Sequence, residues 1–105
     1  MAEPRRNPME IFAEEAPSEA EAFNGLIRAV AGGKGLDDRT RQLLYIAMRA
    51  SQGDAAAVAA HAPMAKAAGA SREELRDAIL MTLMVCGIRG VVTCLGPALS
   101  AWEAA

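Results

Sequence analysis

The chain has 105 residues, a mass of 11.0 kDa, a net charge of −2 and a pI of about 5.4, so it is one domain at most and carries no basic excess that would suit nucleic acid. Hydrophobic residues make up 52% but aromatics only 4%, so the core has to be built from Ala, Leu, Ile, Val and Met. A chain this short buries only roughly 65% of the surface it exposes when unfolded, and a hydrophobic content this high points to apolar surface shared with other copies.

The N-terminal part is acidic: Glu3, Glu10, Glu14, Glu15, Glu19 and Glu21 read as a solvated face. Asn7 is placed to cap a short helix, with Pro8 at its first position and Glu10 at its third. That helix closes before Pro17, and the first 17 residues form a peripheral segment. Ser18 and Glu21 make a capping-box pattern that opens a second helix. Phe23, Leu26, Ile27 and Val30 follow at helical spacing, and Gly32 and Gly33 end it by entering the left-handed conformation.

Asp37 or Asp38 caps a third helix. Leu43, Leu44, Ala47 and Met48 fall on one face of it, and Gln42, Tyr45, Arg49 and Gln52 on another, before Gly53 stops it. A fourth helix, 54 to about 68, is dominated by alanine and contains Pro63, which removes a backbone hydrogen bond and bends or splits it. Gly69 ends this segment, and Ser71 with Glu74 forms a second capping box. The fifth helix runs from 72 to about 86. Its residues 78–85 are apolar on every side, which predicts burial on every side and hence neighbouring subunits. A last helix covers about 90–103, and there is no strand signal and no internal repeat.

The two cysteines, Cys86 and Cys94, fit no zinc or thioredoxin-like spacing and read as buried thiols. The N-terminus shows no secretory signal, so a cytoplasmic, reduced chain is expected. Uncharged stretches of 11 residues (78–88) and 13 residues (90–102) are separated by Arg89. Each falls short of the ~20 residues of a membrane span.

The order of elements, with the words Arg39-Thr40-Arg41-Gln42-Leu43-Leu44-Tyr45-Ile46-Ala47, Ala59-Ala60-His61 and Ala67-Ala68-Gly69-Ala70-Ser71-Arg72-Glu73-Glu74-Leu75, resembles the carboxymuconolactone decarboxylase and alkyl hydroperoxidase D-like (AhpD-like) family. The resemblance covers 36–102. It implies a single domain over 1–105 and an all-α, AhpD-like bundle of about six helices around an antiparallel helix pair. It also implies homo-oligomers, commonly trimers or hexamers.

The peroxidase branch of that family carries a glutamate, a Cys-x-x-Cys pair and a histidine four residues further on. With that histidine at His61, the cysteine positions hold Asp54 and Ala57 and the glutamate position holds Gln42. Neither can supply a thiolate nucleophile and a resolving thiol. The decarboxylase branch works without metal or organic cofactor, and neither is expected here. Such chemistry needs an acid or base beside a carbonyl and cations for the substrate's charge.

His61 is the candidate acid/base. Asp54, seven residues before it and on the same helix face, is the candidate group that orients it. Gln42, Tyr45 and Arg49 share a face of the preceding helix and are the candidates to bind a small carboxylated ligand. A structural role competes at each position: a hydrogen-bonded histidine, Asp54 as an N-cap, Arg49 as a solvated charge. Three functions follow: a family member that kept the fold without the active site, a cofactor-free decarboxylase or lactone-processing enzyme, and an antioxidant protein using Cys86, Cys94 or a partner's thiol. No nucleic-acid or membrane partner is expected.

Overall fold

With few large side chains available, the helices of this chain are delimited by caps and tight turns. The computed structural model describes residues 7–105, and Glu3 of the acidic run lies outside them. Every regular element among the described residues is helical, and the chain forms two compact units, Met1–Gly35 and Leu36–Ala105.

In the first unit, α1 (Pro8–Glu15) begins as expected: Asn7 Oδ1 accepts from Met9 N at 2.8 Å. The second helix, α2 (Pro17–Ala31), starts two residues earlier than its sequence suggests. Its N-cap is Ala16, with no side-chain hydrogen bond, so the Ser18–Glu21 box does not form. Pro17 explains this, because its ring already holds a helical φ and it has no N–H to satisfy. Gly32 closes α2 at φ −83°, not in the left-handed region. Phe12 and Phe23 meet edge to face at 6.1 Å and Ala20 is buried, but Leu26, Ile27 and Val30 stay exposed.

The second unit holds five helices. Asp37 is the cap of α3 (Asp38–Ser51): its Oδ1 accepts from Thr40 N at 2.7 Å, and the hydrogen bonding with Thr40 holds this carboxyl below the usual range. The helix ends in a Schellman motif. Gly53 N donates to Ala50 O (2.9 Å) and Asp54 N to Arg49 O (3.0 Å), with Gly53 at φ 72°. Asp54 then caps α4 (Ala55–Ala67) by accepting from Ala57 N at 3.0 Å. The fourth helix passes through Pro63 without a break.

A second Schellman turn at Gly69 (φ 99°) joins Ala70 N to Ala65 O, and both halves of the Ser71–Glu74 box form at the start of α5 (Arg72–Leu80). This helix does not run to 86 as expected. Thr82 Oγ1 donates to Ile79 O at 2.7 Å, and Thr82 N and Val85 N make short i→i−3 bonds that tighten the chain into α6 (Leu83–Cys86), a single turn. Gly87, at φ 73°, redirects the chain into α7 (Arg89–Ala104).

The core lies along α4. Val58, Ala62 and Ala65 form its buried row, facing Ile46 and Ala50 of α3, Leu75 and Ile79 of α5, and Cys94 and Ala98 of α7. The buried row of α3 is therefore Ile46–Ala50 rather than the expected face, since Leu44 and Met48 are exposed. Of the stretch expected to be buried with the help of neighbouring subunits, Ile79 and Thr82 are buried within this unit, whereas Met84 and Val85 keep 80% and 84% of their surface. Cys94 is buried as expected but Cys86 is exposed. No helix among the described residues is long and apolar enough to cross a membrane.

Gly90 sets the closest approach in this unit. A Cβ added there would lie 2.6 Å from the Ala50 carbonyl oxygen and 2.9 Å from Thr82 Oγ1. Gly25, inside α2, would place its Cβ no closer than 3.8 Å to a side-chain atom. Gly90→Ala should therefore destabilise by about 2 kcal/mol, because a backbone carbonyl has to move. Gly25→Ala should stabilise by up to ~1 kcal/mol through helix propensity. Urea unfolding of both variants checks the pair of signs.

Candidate functional site

The candidate acid/base and ligand-binding residues all lie on α3, on α4 or on the turn between them, while Cys86 and Cys94 lie on α6 and α7. The Gly53 turn folds α4 back along α3, so residues early in α3 meet residues late in α4. His61 Nδ1 lies 3.0 Å from Gln42 Oε1, across 19 positions of chain, while Arg49 near the end of α3 meets Asp54 at the start of α4. The antiparallel pair is thus visible in its side-chain contacts.

The ring of His61 is half-buried and lies against Tyr45, with centroids 4.1 Å apart and planes tilted by 32°. Arg49 Nε donates to the Tyr45 hydroxyl oxygen at 3.0 Å, and its guanidinium carbon is 5.3 Å from the Tyr45 ring centre. Arg49 Nη1 donates to Gln52 Oε1 at 3.2 Å and lies 3.6 Å from Asp54 Oδ2. The chain of contacts therefore runs Gln42, His61, Tyr45, Arg49, Asp54, and all five expected residues belong to it.

The pairing within that set differs from the arrangement with Asp54 beside the histidine. Asp54 is occupied by the Ala57 amide and Arg49, and the group held against His61 is Gln42. Gln42 Oε1 can only accept, so the contact is a hydrogen bond in the tautomer with the ring proton on Nδ1, the one that leaves the lone pair on Nε2. Two causes lower the pKa of His61 from 6.5: burial of the ring first, then the positive charge of Arg49. Near pH 7 the ring is therefore neutral, the form in which it can take up a proton. Since Arg49 donates to the Tyr45 oxygen, the phenolic proton is left to donate elsewhere.

The site also includes two relations absent from the sequence reading. One is the stacking of Tyr45 on His61. The other is Arg89, whose side chain lies over the Gly53 turn, with Nε 3.2 Å from the position a Cβ would take. The hairpin register that pairs 42 with 61 was the available signal for the first. No local pattern announces the second. No group of three or more His, Cys, Asp or Glu among the described residues could hold a metal ion.

An all-α bundle with a histidine-centred polar cluster on an antiparallel helix pair is the class of protein that this geometry defines. The chain belongs to the carboxymuconolactone decarboxylase family, whose family model matches residues 17–100. Neither a curated protein nor a solved structure matches the chain.

The titration of His61 follows from its neighbours. Arg49→Gln should raise its pKa but leave it below 6.5, because burial, the larger cause, remains. Gln42→Glu, which sets a carboxylate on Nδ1, should raise it by about one unit or more. The wild-type His61 contribution to stability is complete above pH 6.5 and is lost as the pH falls below that value, since the unfolded chain then binds the proton more readily. NMR titration of the imidazole carbons measures all three.

Proposed function

We propose that this protein is a thiol-independent, cofactor-free acid–base enzyme of its family, acting on a small carboxylated or lactone substrate. The observation that carries the reading is the 3.0 Å Gln42–His61 contact, which suits the neutral tautomer whose Nε2 can act as base. In this reading His61 removes or returns a proton beside a carbonyl. The Tyr45 hydroxyl donates to the oxygen on which charge develops, and Arg49 attracts the substrate's carboxylate. Asp54 fixes Arg49 and caps the helix that carries His61.

The positions that a peroxidase would fill with cysteines hold Asp54 and Ala57, and neither of the remaining cysteines lies on α3 or α4. That supports a function without thiol peroxidase chemistry. One observation favours a second reading, that of a non-catalytic family member. Arg49 is already engaged by Tyr45, Gln52 and Asp54, as in a cluster kept for stability.

Assembly into homo-oligomers belongs to the same proposal. Met81, Met84, Val85, Ile88 and Val92 are all more than half exposed, which is costly for an isolated chain in water. Light scattering at micromolar concentration should give a discrete oligomer that Val85→Glu disperses. A well-behaved wild-type monomer would refute the assembly.

The catalytic reading is tested with a panel of lactones and unsaturated or keto carboxylic acids. His61→Gln should lower turnover by about 100-fold or more. The wild-type kcat/KM should rise with pH and level off above a pKa below 6.5. A panel without turnover, together with a His61→Ala variant altered only in stability, would establish the non-catalytic reading.

A further inference from the structure

The apolar face assigned to assembly shares Met81 and Val85 with a groove between α3 and the α5–α6 junction, lined by Ala47, Met48, Ser51, Met81, Thr82 and Val85. Three of the chain's six methionines gather here: Met48 and Met81 in the groove, and Met84 one turn beyond Met81. Each keeps more than half of its surface. The polar side chains of the groove are two hydroxyls, and both are committed to their own backbone. Ser51 Oγ donates to Met48 O, and Thr82 Oγ1 donates to Ile79 O. The groove therefore suits apolar contact and offers no side-chain donor to a polar atom pressed into it.

A thioether in such a place is chemically vulnerable. A peroxide transfers its distal oxygen to the sulfur lone pair. The O–O bond breaks, an S–O bond forms, sulfur is oxidised by two electrons, and the peroxide leaves as water or an alcohol. The sulfoxide oxygen is a hydrogen-bond acceptor, and burying it without a donor is costly. We propose that Met48, Met81 and Met84 form a redox switch: peroxide oxidation of the free subunit abolishes its assembly, and reduction of the sulfoxides restores it. The switch rests on the homo-oligomer reading above. Its sulfur atoms are reached whenever a subunit dissociates, so oxidation draws the population to monomers by mass action.

The test treats the wild-type protein with hydrogen peroxide, follows its mass by light scattering and locates the sulfoxides by peptide mass spectrometry. The mass should fall to that of a single 11.0 kDa chain as the three methionines each gain one oxygen. Methionine sulfoxide reductases for both epimers should restore the oligomer, and dithiothreitol alone should not. Met48→Leu, Met81→Leu and Met84→Leu combined, which keep the volume without the sulfur, should give an oligomer that peroxide leaves intact. Met64→Leu, on α4 and outside the groove, should leave the wild-type response unchanged.

A wild-type protein that is monomeric before peroxide removes the assembly and the switch with it. An oligomer that persists through peroxide, whatever the state of the three sulfurs, overturns the switch and leaves the assembly standing. Recovery with dithiothreitol alone also overturns it, since that assigns the effect to the exposed Cys86. If the leucine variant fails to assemble, the reductases decide: a restored wild-type oligomer upholds the switch, and one that stays dissociated overturns it.

Discussion

The Schellman closure at Gly53 is the constraint on which the rest of the second unit depends. It ends α3, starts α4 through the Asp54 cap and fixes the register of the two helices at once. Gln42 meets His61 and Arg49 meets Asp54 because the reversal occurs at Gly53 and nowhere else. Each residue added to that turn would rotate one helix face against the other by about 100°. A left-handed φ is cheap only for glycine, so one residue without a side chain holds a polar row of five.

The same economy of side chains governs the packing. With alanine at two of the three buried positions of α4, and Gly90, Cys94 and Ala98 on α7, the helices approach closely and gain contact area in place of side-chain volume. Close approach ties distant parts together: the Ala50 carbonyl, one turn before the Gly53 reversal, rests on Gly90 next to Thr82. The Thr82 hydroxyl bonds back to Ile79 O, in the turn where α5 stops. The exposed apolar residues beyond that break are what such a thin core leaves over. A surface of that kind accords with life in an assembly.

The parts legible in the sequence are the local ones. Asn7, Asp37, Gly53, Gly69 and the Ser71–Glu74 box all act within a turn of themselves, and each does what its residue type suggests. Ser18 failed for an equally local reason, since Pro17 had already started the helix. What pattern alone could not deliver was set by contacts far apart in the chain. The stop after Leu80 sits against Gly90, and the burial of Ile46 rather than Met48 depends on where α4 and α7 lie. The five residues proposed for the site were named from their helix faces and from the family resemblance. Their partnership was not, because Gln42 and His61 are joined only through the hairpin register, and Arg89 lies closer in space to the turn than in sequence.

The proposed function stands on one contact, His61 Nδ1 against Gln42 Oε1 at 3.0 Å, and on the tautomer that leaves Nε2 as the base. Its most direct test is the tautomer of the neutral ring, read from the ¹⁵N shifts of the imidazole nitrogens at pH 8 in protein labelled at its single histidine. A pyrrole-type shift at Nδ1 with a pyridine-type shift at Nε2, reversed or averaged in Gln42→Leu, is the result the proposed function predicts. A proton on Nε2 in the wild-type protein would contradict it and remove the base from the site.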